Sequence, residues 1–308
     1  MMGKRSLFLL CALIIGFAFL YIPIISMVVF SFNASKLVTV WDAYNSPTLK
    51  WYVTMLANEQ LLDAAKLSIT IAAMNATGAV VLGTVAGLVL ARFGNFRGRT
   101  LLSGITSAPL VMPEVITGLS LLLLFVTMEA VFGWPAGRGM TTITIAHMTF
   151  SMAYVTVIVQ SRLSTFDESL EEAAMDLGAR PGKVFFVITL PIIMPAILSG
   201  WLLSFTLSWD DLVISSFVSG PGSTTLPMLI FSKVKLGVNP EVNALATVLV
   251  AIVSVGVLFA AWYMRRQERV RDGGGDDLQT AEVLEFSGRP DKIPPIRWIR
   301  VANGREPV

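Results

Sequence analysis

Six apolar runs, each about 20 residues or longer, alternate with polar segments along the chain: 7–32, 67–91, 101–128, 141–160, 190–218 and 244–264. In lipid a single segment satisfies its own backbone only as a helix, so the pattern predicts an all-α integral membrane protein with six transmembrane helices. The first run follows Lys4 and Arg5 but is too long for a signal-peptide core and lacks a small-residue cleavage site, so it reads as an uncleaved first helix. Gly83 and Gly87 form a G-x-x-x-G pair that allows close helix approach. Pro109 and Pro113 predict a kink in the third run, where freed carbonyls need partners in a neighbouring helix or a water-lined cavity.

The polar segments set the expected orientation. One alternating set, around Lys4, Arg97, Arg180 and Arg266, holds twelve Lys and Arg residues against six in the other, so the first set is expected in the cytoplasm together with both termini. The segment 33–66 is then external, and its Trp41, Trp51 and Tyr52 suit an interfacial aromatic belt or plain loop packing. After Arg271 the sequence turns to glycines, aspartates and prolines, which divides the chain into a membrane domain, 1–268, and a flexible cytoplasmic tail, 269–308.

Composition agrees with the pattern: 54% hydrophobic and 14% charged residues among 308, with a mean hydropathy of +0.70. A net charge of +2 gives no basis for nucleic-acid binding. The single Cys11 and single His147 cannot build a thiolate or histidine metal site, and His147 is expected as a packed or hydrogen-bonded helix position. No G-x-x-x-x-G-K-[ST] loop occurs, so the chain lacks the usual cradle for ATP phosphates.

The segment 163–190 stands out among the polar stretches. Thr165 and Glu168 have the spacing of a capping box, and an apolar stripe through Leu163, Phe166, Leu170 and Leu177 predicts a short surface helix. Gly178 is placed to stop it and Pro181 to start the next. Glu172, Ala173 and Ala174, then Gly178, then Ile188, Leu190 and Pro191 match in full the cytoplasmic loop signature of the permease subunits of bacterial ABC importers. From about Ser31 to Tyr263 the chain resembles the polyamine branch of that family, most closely the second permease subunit of putrescine importers, through "FSFNASKLVTVW", "ARFGNFRGR", "APLVMPEVITGLSLLLLF" and "SFTLSWDDLVISSFVSGPGSTTLPM". The tail beyond Arg271 departs from the family.

The resemblance implies a type I ABC importer permease fold, with 163–190 as a coupling helix that enters a groove on an ATP-binding subunit. It implies a bacterial inner-membrane location and an assembly with a second homologous permease, two ATP-binding subunits and a periplasmic substrate-binding protein. ATP and Mg would be held by the ATP-binding subunits, with no cofactor in this chain and no enzymatic activity of its own.

Carboxylates inside apolar runs are candidates for the pathway in their own right, because burying them in lipid is costly unless they are paired or face water. Glu114 lies about 20 Å along the third run, Glu129 near its far end, and Asp210 and Asp211 beside Trp209 in the fifth. Adjacent residues point about 100° apart, so one of the two aspartates is expected to face a central passage. An acidic passage suits a polyamine, whose ammonium groups pair with carboxylates and whose methylenes cross apolar walls. The alternatives are the same machine carrying another small solute, and an ion-coupled secondary transporter that needs no ATP-binding subunit.

Overall fold

The structure, a computed structural model, describes residues 4–36, 40–237, 240–256, 258 and 262. Their regular structure is all helical, with no strand among the described residues. In order they form α1 (Lys4–Ser31), α2 (Lys50–Leu56), α3 (Glu59–Arg92), α4 (Arg99–Val111), α5 (Glu114–Phe132) and α6 (Met140–Ser164). Then come α7 (Ser169–Asp176), α8 (Pro181–Val184), a π-helical segment (Phe185–Thr189), α9 (Leu190–Trp209), α10 (Val213–Val218) and α11 (Leu226–Leu236). The apolar helix α12 (Pro240–Gly256) closes the described part. Two compact units divide the chain, 1–245 and 246–308. The expected domain boundary at 268/269, the tail 269–308 and the expected end of the sixth span at 264 lie outside the described residues.

Among the described residues, five helices are long and apolar enough to cross a membrane, and α12 is a shorter apolar one. Two of the six expected spans are shaped differently from the sequence reading. The third, 101–128, is two helices: Met112 is extended at φ −76°, ψ 136°, as a residue before proline prefers, and Pro113 caps α5 instead of kinking a continuous rod. Pro109 remains within α4. The fifth, 190–218, stops at Trp209, and α10 starts anew after Asp210, Asp211 and Leu212.

The core is the packing of α3, α6 and α9. Between lipid-soluble helices the hydrophobic effect gives little, so close backbone approach and hydrogen bonds carry the association. A Cβ on Gly83 would sit 2.6 Å from the Val155 Cβ, and one on Gly87 3.0 Å from the Thr156 carbonyl oxygen. The G-x-x-x-G pair is therefore the seam between α3 and α6. Asn75 Nδ2 donates to the Ser204 carbonyl (2.8 Å) and to Ser151 Oγ (3.3 Å), joining all three helices with one side chain. Two apolar clusters flank this polar centre, one around Ile71, Ile143 and Ile214, the other around Ala79, Val159, Leu163 and Ile193.

Trp51 is not a belt residue. It is buried, and its indole N–H donates to the Asn33 carbonyl at 2.7 Å, while the Tyr52 hydroxyl meets Ser31 Oγ at 2.6 Å. Tyr52 thus fastens the end of α1 to α2, and Trp51 the segment that follows α1.

Candidate functional site

The signature loop lies where α6 ends. Thr165 does not open the next helix: its hydroxyl donates back to the Arg162 carbonyl (2.9 Å) and closes α6. The expected capping box is replaced by Asp167, whose Oδ1 accepts from the Ser169 N–H (3.0 Å) at the start of α7. That backbone bond, aided by the Ser169 side chain, holds the Asp167 carboxyl below its ordinary pKa range. Glu168 is drawn away from capping by Arg92, with which it forms an ion pair.

α7 is a single exposed platform with no buried residue. Glu172 and Ala173 are exposed and Ala174 half-buried, and Leu170, Met175 and Leu177 present apolar surface at 52%, 43% and 91% exposure. Gly178 ends α7 at φ +85°, with its N–H donating to the Met175 carbonyl (2.8 Å) and Ala179 N–H reaching the Ala174 carbonyl (3.1 Å). A left-handed stop of this kind favours glycine because Cβ strains it. Pro181 then stands at the first turn of α8, as its spacing predicts.

Ile188 is half-buried in the π-helical segment, and Leu190 packs against the cluster around Ile193. Pro191 has no N–H, so the Val187 carbonyl loses its normal i+4 donor, and the chain widens into π geometry immediately before it. The entrance to α9 is thus a local irregularity fixed by the same Pro191 that completes the signature.

The pathway candidates separate by environment. Asp211 turns inward. Its carboxylate accepts from the backbone N–H groups of Ile214 (3.2 Å) and Ser215 (2.7 Å), satisfying two orphan donors of α10. His147 Nε2 meets Asp211 Oδ2 at 3.1 Å and Ser215 Oγ at 3.2 Å, while Nδ1 contacts Ser208 Oγ at 2.6 Å. The His147 and Asp211 side chains are only 3% and 8% exposed, so the pair is a buried knot that pins the α9–α10 break to α6.

Asp210 is exposed on the other side of that break, beside the half-buried Trp209. Trp209 ends a stack of parallel rings along α9, with Trp201 and Phe205 centroids 5.4 Å apart and Phe205 and Trp209 6.2 Å apart. Glu114 is exposed in the first turn of α5, where helix polarity favours an anion, instead of deep within a continuous rod. Glu129 Oε1 accepts from the Gly137 N–H (3.0 Å) and closes the turn between α5 and α6. The structure does not bring Glu114 or Glu129 into hydrogen-bonding contact with the aspartates.

The sequence reading missed the partners that give these residues their settings: Arg92, Phe166 and Thr189 around the loop, Ser208 and Ser215 around His147, and the Trp201 and Phe205 rings. Arg92 was legible only as one topological cation, and i, i+4, i+8 aromatic spacing was the available signal for the stack.

The profile of the family described as "Binding-protein-dependent transport system inner membrane component" matches residues 83–271. The chain belongs to that family. As a member of this inner-membrane component family with several apolar spanning helices, it is a multi-pass inner-membrane protein. It is 58% identical over 271 residues to the putrescine transport system permease protein PotI of Escherichia coli (strain K12), covering 87% of this chain and 95% of that one. It is 41% identical over 257 residues to the spermidine/putrescine transport system permease protein PotC of the same strain, covering 83% and 94%. Among solved structures, a bacterial ABC transporter involved in import of the acidic polysaccharide alginate superposes with a TM-score of 0.64 at 16% identity, covering 84% of this chain and 95% of that one. The fold is that of an ABC importer permease.

Proposed function

We propose that the chain is the permease subunit of an ATP-driven importer for putrescine or a related polyamine. The observation that carries this reading is the 58% identity to a putrescine permease across nearly its full length. The site chemistry supports it: an exposed carboxylate at Asp210 beside a ring stack offers charge pairing and cation–π contact to a flexible dication. Glu114 and Glu129 add negative charge at the ends of α5.

In this reading the permease domain, 1–268, forms half of the passage and a second homologous permease forms the other half. Two ATP-binding subunits hold ATP and Mg and perform the hydrolysis, and a periplasmic binding protein delivers substrate. Both termini and the tail 269–308 are cytoplasmic. α7 seats against an ATP-binding subunit, with Glu172 available for a basic partner group and Ala173 and Ala174 allowing close approach. Gly178, Ile188, Leu190 and Pro191 fix how α7 is joined to α9. The passage then alternates between outward and inward states as the motor opens and closes.

Uptake of labelled putrescine by cells with and without the chain tests the cargo. Loss of uptake on deletion, with competition by unlabelled spermidine but not by amino acids or phosphate, is the expected result. Undiminished putrescine uptake on deletion overturns the assignment.

A further inference from the structure

Arg92 is the last residue of α3, the 34-residue helix that packs along both α6 and α9. Its guanidinium side chain is only 13% exposed and is held entirely by the loop that follows α6. It pairs with Glu168, approaches Glu171 Oε2 to 3.4 Å through Nε, and lies 5.4 Å from the centre of the Phe166 ring. Glu171 uses its other oxygen to accept from Thr189 Oγ1 at 2.6 Å, and Thr189 is buried in the π-helical segment at the head of α9. One carboxylate thus bridges the end of α3 and the start of α9, with α7 between them. Glu172 is the next residue along α7 and is exposed.

The Arg92 nitrogens Nε and Nη2 are buried without a hydrogen-bond partner among the described residues. The Glu168 side chain is largely exposed and that of Glu171 largely buried, so loss of the Glu171 charge leaves the Arg92 guanidinium underpaired where the loop covers it. We propose that Arg92 is a positioning residue that latches α3 to the coupling helix through Glu168 and Glu171, so that a displacement of α7 moves α3 together with α9. The latch rests on the coupling reading of the loop. A rigid α3 would carry the displacement about 50 Å to its opposite end, at helical rise per residue.

The test uses the full complex, with partner permease, ATP-binding subunits and binding protein, in proteoliposomes, and reads putrescine uptake per ATP hydrolysed. Arg92→Gln and Glu171→Gln are each expected to lower that ratio by about fivefold or more, the scale of a typical coupling free energy. The double variant is expected to be no worse than the poorer single one, because both remove the same link. The conservative variant Arg92→Lys, which keeps a cation between Glu168 and Glu171, is expected to recover part of the ratio. An unchanged ratio in both single variants, while Glu172→Ala lowers it, overturns the latch and leaves the coupling loop standing. An unchanged ratio in Glu172→Ala as well overturns the coupling reading, and the latch with it. If Arg92→Gln does not assemble, Glu171→Gln decides alone: a normal ratio contradicts the latch.

Discussion

Asp210 and Asp211 are neighbours with opposite settings, and the difference is a matter of which hydrogen-bond partners each can reach. Asp211 accepts from two backbone N–H groups and from His147, all buried, whereas Asp210 is exposed at the end of α9. Asp211→Ala strands His147 and two helix donors, so a loss of about 3 kcal/mol of stability is expected, seen as a lower thermal inactivation midpoint of the purified complex. Asp210→Asn is expected to leave that midpoint unchanged and to raise the putrescine concentration for half-maximal uptake. Equal midpoints for the two variants would contradict this division. Sequence shows that adjacent residues diverge by about 100° but not which of them turns inward; that depends on His147, 64 positions away in the chain. The buried, hydrogen-bonded setting of His147 was legible, because a lone histidine in an apolar run has few other stable options. Arg92 was not, because its role comes from carboxylates beyond α6.

At the scale of the element, hydropathy locates apolar runs well and their interruptions poorly. Each run is apolar on average across Met112 and across the Asp210–Asp211 pair, so mean hydropathy does not register that the backbone leaves the helix at these points. The local signals were Pro113, which forces its predecessor to extend, and Asp211, whose side chain offers backbone donors an alternative to the helical ladder. The Gly178 stop and the Pro181 start were readable because each rests on a single residue's backbone restriction. The Thr165 box failed because Thr165 lies where α6 is still closing, and its hydroxyl finds the Arg162 carbonyl first. The α3–α6 seam yields a sharp expectation. Gly83→Leu must push Val155 away and should cost roughly 1–3 kcal/mol in overpacking. Gly104→Ala in α4 meets nothing within 4 Å and should be neutral or slightly stabilising. Recovery of assembled complex after heating separates the two; equal recovery would mean that the seam is not tightly packed.

At the scale of the molecule, the exposed faces describe a subunit. Little of the apolar surface of α1 is covered within the chain, and α7 displays Leu170, Met175 and Leu177 to solvent. In the proposed assembly, lipid and a companion permease cover the first face and an ATP-binding subunit the second. Coupling in this account is mechanical: α7 is held to α3 by Arg92 and to α9 by Thr189, so a load on one short helix is shared by the long helices of the core. The most direct measurement is putrescine uptake into proteoliposomes that hold the complete complex, compared with vesicles lacking the ATP-binding subunits or lacking ATP. Uptake that requires both is the result this account predicts. Uptake that persists without the ATP-binding subunits and follows an imposed ion gradient would contradict it.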